Sequence, residues 1–313
     1  MDDIEFNLPF ISGNEKKYIQ QVFENGHFSG NGVFTKRVQS WLENYLGANR
    51  VLLTHSCTAA LEMSGLLIDL EPGDEVIMPS FTFVTTASSI MRAGAIPIFC
   101  EINDENMQID FSDAEKRVTS RTKAIIPVHY AGFSGDMDVA IDFCNSLDLI
   151  MIEDAAQGLG SFWKDRPLGS FAPLSAISFH ETKNIHCGLG GCLVINDDDF
   201  VERAEVVWER GTNRAAFFKG LVDKYSWQEL GSSFYPSEIQ AAFLLAQLEM
   251  MEENHKSRGT KWKKYSELLS PLESEGKLRM IRPEANSKHN YHAVAILLQS
   301  GLLLLMLQSG LLN

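Results

Sequence analysis

Between residues 50 and 200 the apolar positions follow two periods in turn. RVLLT, EVIMP, IPIFC, KAIIPV and LIMIE are short, β-branched apolar runs. Among them lie CTAALEMSGLLIDL and MDVAIDFCNSL, whose apolar residues recur at helical spacing. The alternation predicts buried strands joined by helices, an α/β fold with a mainly parallel sheet sandwiched by helices. PGD at 72–74 and RAG at 92–94 punctuate as turns, and DDD at 197–199 offers N-caps to a following helix.

A second pattern begins at Ser237. SEIQAAFLLAQLEMMEENHKSRGTKWKKYSELL is long, periodic and charged on one face, which predicts a helix leaving the sheet domain. We place the boundary near Leu248, giving a large domain over 1–248 and a smaller α+β unit over 249–313. Residues 293–313, AVAILLQSGLLLLMLQSGLLN, carry no charge and contain LQSGLL twice. The run approaches the ~20 apolar residues that span a bilayer. Two Gln-Ser-Gly interruptions and the lack of a basic or aromatic flank argue against an anchor. The expectation is a small-domain strand running into a damaged or frameshifted end, with the small domain cut short.

At 313 residues with 45% hydrophobic and 22% charged content, the chain is long enough for a full core and a second unit. A formal net charge of -14 excludes a broad nucleic-acid surface and requires any bound phosphate to be held locally. MDDIEFNLPF carries acid where a signal peptide carries base. Cys57, Cys100, Cys144, Cys187 and Cys192 are odd in number and form no dense framework, which fits a reducing cytoplasm.

Open α/β sheets bind ligands beyond the carboxyl ends of their strands, and three such places carry chemistry. THSCTAALEM places Ser56 and Thr58 at a helix N-terminus, where backbone N–H groups and the dipole receive an anion; an ordinary N-cap reads the same way. LIMIEDAAQG sets Asp154 at the end of an apolar strand, with Gln157 one turn on. That acid either caps the next helix or meets a cation. SFHETKNIHCGLGG follows the strand SAISF and holds Lys183, which is either a solvated charge or a desolvated amine nucleophile. His180, His186, Cys187 and Cys192 match no usual zinc spacing, and Asp197, Asp198 and Asp199 lack the glycine and distal Glu of a calcium loop, so no metal is expected. The three places together ask for one ligand with a phosphate, a cationic ring nitrogen and an aldehyde, and pyridoxal 5'-phosphate has all three.

SCTAALEM, PGDEVIMPSFTFVTTA, PVHYAG, EDAAQG, SFHETKN, GGCLVIND and RGTNRAAFFKGLVDKYSWQELGSSF, spread from about Ile4 to His292, resemble the DegT/DnrJ/StrS sugar-nucleotide aminotransferases. The resemblance implies a fold-type I enzyme dependent on pyridoxal phosphate. SFHETKN and the RGTNR block are most similar to the branch that aminates TDP-4-oxo-6-deoxy-D-glucose with L-glutamate for enterobacterial common antigen.

It implies that Lys183 binds the cofactor covalently and shuttles the proton, while Asp154 faces the ring nitrogen and Gln157 the ring hydroxyl. Phe83 would stack on the ring, and Thr58, Ala59 and Ser178 would hold the phosphate. Read without the family, Phe83 is core packing and Ser178 a strand-end hydroxyl. The resemblance further implies a homodimer with shared sites, in which a partner Gly-x-Asn loop reaches the phosphate. Here that loop reads GSSF, with Ser233 at the Asn position. Arg210, Arg214, Lys219 and Lys224 are candidates for the nucleotide diphosphate, or solvated surface charge. Relatives that dehydrate sugars carry His at the position of Lys183, which separates that reading from this one. A 3-keto sugar substrate, and a noncatalytic scaffold that keeps the pocket, stay open as alternatives.

Overall fold

The computed structural model describes residues 7–298 and 304–308. Two helices, α1 (Glu15–Asn25) and α2 (Val33–Leu46), precede the first strand. Strands and helices then alternate: β1 (Arg50–Thr54), α3 (Cys57–Leu67), β2 (Glu75–Pro79), α4 (Val84–Met91), β3 (Ile96–Cys100), α5 (Phe111–Lys116), β4 (Thr122–Ile125), α6 (Met137–Leu147) and β5 (Ile150–Asp154). A short excursion, β6 (Phe162–Trp163) and β7 (Arg166–Pro167), leads to β8 (Leu174–Ser178) and β9 (Gly191–Ile195). Next come α7 (Val201–Trp208), α8 (Arg214–Phe218), α9 (Glu238–Glu249) and α10 (Met251–Ser274). The chain continues through β10 (Leu278–Met280), β11 (Ser287–Lys288), β12 (Ala293–Leu298) and β13 (Leu304–Gln308).

The large sheet has the order β1-β9-β8-β5-β4-β2-β3. The pairs among β3, β2, β4, β5 and β8 are parallel, as the alternating pattern predicts. β9 is antiparallel to both of its neighbours. The cause is local: residues 179–190 return from β8 directly, without the helical crossover that a parallel partner needs. That return keeps the Lys183 loop at the sheet's ligand-binding edge.

Successive strand residues face opposite layers. Leu52, Ala176, Leu193 and Ile195 pack with Ala60, Leu61 and Met63 of α3, while Val51, Leu53, Ile177 and Val194 pack with Val38, Leu42 and Leu245 of α2 and α9. The turns at 72–74 and 92–94 touch each other, since Gly73 N–H donates to Gly94 O at 3.3 Å. Asp197 caps the short turn that enters α7, its carboxylate accepting Asp199 N–H at 3.1 Å.

The single long helix expected from Ser237 is two helices. α9 opens with a capping box between Ser237 and Gln240, is buried through Ala241, Ala242, Leu244, Leu245 and Leu248, and stops at Met250 (φ -110°, ψ 15°). The charged face belongs to α10, which packs through Trp262, Tyr265 and Leu269 on Leu278, Met280, Val294 and Ile296. A helix inside the core is apolar on all sides and one on its rim is not, so one continuous pattern hid two environments.

β12 begins the apolar run of 293–313 as a strand and pairs antiparallel with both β10 and β13. Residues 299–303 and 309–313 of that run lie outside the described residues. Among the described residues no helix is long and apolar enough to cross a membrane.

Candidate active site

The carboxyl ends of β1, β5 and β8 and the start of α4 surround one cavity of about 350 Å³. On one side α3 begins. Ser56 is its N-cap, with Oγ accepting Ala59 N–H at 3.1 Å, and Thr54 Oγ1 donates to Ser56 O at 2.7 Å. Ser56, Cys57 and Thr58 line the cavity, so the positive end of the helix dipole borders it. β9 runs close behind: a Cβ on Gly191 would sit 2.4 Å from Cys57 N, so only glycine fits there. The terminal glycines of SFHETKNIHCGLGG thus let the sheet approach this helix start.

Asp154 ends β5 at 3% exposure. Its Oδ2 accepts the Thr86 hydroxyl at 2.7 Å, and Oδ1 accepts Ala156 N–H at 3.1 Å. Burial pushes its carboxyl above the usual range; the Thr86 and Ala156 hydrogen bonds and the charges of Lys183 and His129 oppose that rise without cancelling it.

Lys183 is half-buried in the 179–190 loop, its N–H donating to His180 O at 2.8 Å. Burial lowers its amine pKa below the ordinary lysine value, against the pull of Cys57 and Asp154. Phe83 is 63% exposed and lines the cavity, so core packing does not describe it. Gln157 uses Oε1 to accept Ala131 N–H at 2.6 Å, leaving its amide nitrogen available at the cavity wall. Ser178, at the end of β8, lines the cavity and accepts His180 N–H at 3.3 Å.

Two residues named from sequence stand apart. Ala59 is buried one position further into α3, with its N–H taken by Ser56. Ser233 is exposed and away from this chain's own cavity, where its Oγ accepts Arg210 Nη2 at 3.3 Å. Arg214 and Lys219 are engaged by Glu209 and Glu205 at 3.5 and 2.9 Å. The zinc-like residues are occupied elsewhere: His186 Nε2 lies 2.7 Å from Phe10 O, and Cys192 is buried within β9. Among the described residues no group of three or more His, Cys, Asp or Glu converges on a metal-sized site.

Sequence reasoning missed the support beneath Asp154. Glu153 faces the other side of β5, fully buried, and accepts Gly169, Phe171 and Ala172 N–H at 2.8, 2.7 and 2.9 Å. Its fourth partner is His129 Nε2 at 2.9 Å. Because that carboxylate only accepts, Nε2 carries the proton, and buried Nδ1 has no partner among the described residues while the ring lines the cavity. The readable signal was the paired acid of LIMIED, together with the hydroxyls four apart in FTFVTTA.

These groups fit pyridoxal phosphate on grounds internal to the chain. A buried carboxylate raised by desolvation forms no salt bridge among the described residues, a desolvated amine faces the same space, and a helix N-terminus supplies anion donors.

The chain matches the profile of the DegT/DnrJ/EryC1/StrS aminotransferase family over residues 9–306. It is 33% identical over 258 residues to the spore coat polysaccharide biosynthesis protein SpsC of Bacillus subtilis, covering 82% of this chain and 66% of that protein. It is 28% identical over 292 residues to a GDP-perosamine synthase of Vibrio cholerae, covering 93% and 76%. Its fold superposes with a TM-score of 0.86 and 26% identity on Helicobacter pylori PseC, an aminotransferase involved in the biosynthesis of pseudoaminic acid, over 95% of this chain and 78% of that one. The chain thus spans 66% to 78% of the length of these proteins. With its fold-type I architecture and its lysine–aspartate cavity, the chain belongs to the DegT/DnrJ/EryC1/StrS aminotransferase family, whose cofactor is pyridoxal 5'-phosphate.

Proposed function

We propose that the protein transfers an amino group from L-glutamate to the C4 ketone of a nucleotide-linked 4-keto-6-deoxy sugar. The substrate we favour is TDP-4-oxo-6-deoxy-D-glucose, giving TDP-4-amino-4,6-dideoxy-D-galactose for a surface polysaccharide such as enterobacterial common antigen. The observation that carries the reading is the meeting of Lys183 and Asp154 on one cavity.

Bound there, pyridoxal phosphate supplies an aldehyde for amine exchange and a ring that withdraws electrons. The chain's residues do the rest. Lys183 Nζ, held below the usual lysine range, offers an unprotonated amine nearer neutral pH and afterwards moves the proton at the sugar C4. Asp154 would hold the protonated ring nitrogen with its carboxylate, and that cation would offset the burial that raises its pKa. Ser56 and Thr58 at the α3 N-terminus, with Ser178 at the end of β8, would hold the phosphate. Phe83 would cover a ring face and exclude water, and the Gln157 amide would hold the ring hydroxyl, since both line the cavity.

The substrate class is supported by relatives whose names specify a nucleotide sugar, GDP-perosamine, and a polysaccharide pathway. The choice of TDP over GDP rests on the SFHETKN and RGTNR motifs. Arg210 and Lys224 form no salt bridge among the described residues and remain available for a diphosphate.

A homodimer fits the surface next to Ser233. Phe218, Leu221, Trp227 and Leu230 are large, apolar and exposed along one segment, a patch that a second copy would cover. A cytoplasmic location follows from the chemistry proposed, since nucleotide sugars are its substrates.

Incubation with L-glutamate and a panel of TDP- and GDP-linked 3-keto and 4-keto sugars tests the reading, with product structure read by mass and NMR. Parallel double-reciprocal lines and a 4-amino TDP-sugar are expected, and Lys183→Ala yields none. Intersecting lines, or amination at C3 only, would overturn the scheme or the sugar respectively.

A further inference from the structure

Behind Lys183, on the side of the small C-terminal sheet, lies a second cavity of about 10 Å³, lined by Gln157, Ser178, Lys183, Asn184, Asn290 and His292 among others. That volume is at the lower limit for a single water. Six of its nine lining residues carry polar side chains, four from the middle of the chain (Gln157, Ser178, Lys183, Asn184) and two from the segment ahead of β12 (Asn290, His292).

The protonation of its histidine follows from the hydrogen bonds. Asn184 Nδ2 donates to the carbonyl of Asn290 at 2.8 Å, which fixes the amide orientation and leaves Asn184 Oδ1 as an acceptor. His292 Nδ1 lies 3.0 Å from that oxygen and must therefore donate to it. Nε2 is then a bare lone pair. It has no protein partner among the described residues, on a side chain only 4% exposed that lines the cavity beside Lys183. Burial, then the charges of Lys183 and Arg258, hold the imidazole neutral by pushing its pKa well below the usual histidine value.

The surrounding bonds hold this ring against the lysine loop. Asn254 of α10 donates to Asn184 O. Asn290 Nδ2 donates to Gln157 O and Leu159 O at 2.7 and 2.8 Å, and Arg258 Nη2 donates to His292 O at 2.7 Å. The segment ahead of β12 is thus tied directly to the residue that follows Lys183.

We propose that His292 is a positioning residue for Lys183: whenever the lysine amine is not bonded to the cofactor, Nε2 accepts a hydrogen bond from Nζ, directly or through one water in the small cavity. An amine held this way by one N–H keeps its lone pair for the proton at the reacting carbon. The groups that bear electrostatically on Nζ are Cys57 from α3 and Asp154 from β5, and those whose charge bears on the His292 ring are Lys183 and Arg258 of α10. The inference rests on the transaminase reading, but only on its glutamate half-reaction.

Two substitutions separate positioning from packing. His292→Asn retains the contact to Asn184 and loses the distal acceptor, whereas His292→Gln retains an acceptor at the distal position. In the holoenzyme, the glutamate half-reaction is expected to slow about tenfold in His292→Asn with the glutamate concentration dependence unchanged, and to recover in His292→Gln, the scale of one lost hydrogen bond to a reacting group. The opposite order, or equal rates, overturns the proposal. A crystal structure of the wild-type holoenzyme after treatment with glutamate decides the matter if neither variant folds: Nζ within about 3.2 Å of Nε2, or both on one water, supports it. Nζ bonded elsewhere above an empty cavity sinks it. Failure with every keto sugar would remove the substrate assignment and leave these readouts intact.

Discussion

The hydroxyl of Thr86 donates to Asp154 Oδ2 across 2.7 Å, and Thr82 Oγ1 lies 2.7 Å from Thr86 Oγ1. With Asp154 ionised, the carboxylate takes the Thr86 proton, so Thr82 must donate to Thr86 and the two hydroxyls form a one-way relay ending on the carboxylate. The relay counteracts the burial that raises Asp154. Thr86→Val removes it without changing the shape of the side chain. The expected outcome is weaker cofactor binding and a loss in kcat/KM of about tenfold or more, the value of a hydrogen bond to a charged group. Thr86→Ser should retain most of both. Equilibrium dialysis of the cofactor and steady-state kinetics check this; a wild-type cofactor affinity in Thr86→Val would show that Asp154 does not depend on the relay.

Glu153, on the opposite face of the same strand, shows the reverse balance. Burial opposes its charge, yet His129 and the Gly169 and Ala172 N–H groups hold its pKa below the usual glutamate value. A carboxylate depressed in the folded state contributes stability above its unfolded pKa, and that contribution is lost as pH falls through the folded value. Glu153→Gln keeps one acceptor and turns an NH2 toward donors. It should destabilise by about 3–5 kcal/mol, as when one partner of a buried pair is removed. The variant's melting temperature should also fall less than wild type's on acidification. Asp154 works against this slope, since a raised carboxyl gains stability as pH drops, so the two-protein comparison and not the wild-type curve alone is the measurement.

How far the sequence disclosed this site depended on whether a residue's surroundings were local. Asp154 and Lys183 were legible because each follows an apolar strand, where a charge needs a reason. Thr86 was hidden because its partner lies 68 residues away, and His292 because its role emerges only when the segment ahead of β12 folds back onto Asn184. The break between α9 and α10 falls at Met250, with neither glycine nor proline to mark it. Ala59 was placed in the phosphate cup, but the N-cap Ser56 already engages its N–H. Ser233, at the position where the family resemblance expects an asparagine, is exposed and outside this chain's own cavity, so its part in a site belongs to the homodimer proposed above.

Without cofactor, Lys183 costs stability. Its folded pKa lies below the unfolded one, so the unfolded chain binds more protons between the two values, and stability rises with pH through that window. The cause is the desolvation of the amine, which disfavours its charged form. Lys183→Met, similar in length and uncharged, is expected to raise the melting temperature of the cofactor-free protein by a few degrees, on a scale of about 2–4 °C per kcal/mol. The gain should shrink as pH rises toward the usual lysine pKa. Scanning calorimetry at several pH values reads it, and a destabilised Lys183→Met would mean the amine is well solvated in the folded protein.

Gly191 opens β9 directly beneath the start of α3, where the phosphate is proposed to bind. A Cβ there would meet Cys57 N at 2.4 Å, Ser56 C at 2.5 Å and Ser56 O at 2.7 Å, all backbone atoms with no flexible end to yield. Because Gly191 pairs with Thr54 of β1 and Ser178 of β8, the strand cannot retreat without losing register on both sides. The strain must then move the N-cap. Gly191→Ala should cost about 1–3 kcal/mol, the usual penalty for overpacking. It should weaken cofactor binding more than it changes kcat at saturating cofactor, because the displaced atoms face the phosphate and not Lys183. By contrast, a Cβ on Gly188 would meet nothing within 4 Å, although its φ of +80° carries a strain of its own. Gly188→Ala is therefore the control: it should lose stability with cofactor affinity preserved. Equal affinities in the two variants would place the phosphate away from the α3 N-terminus.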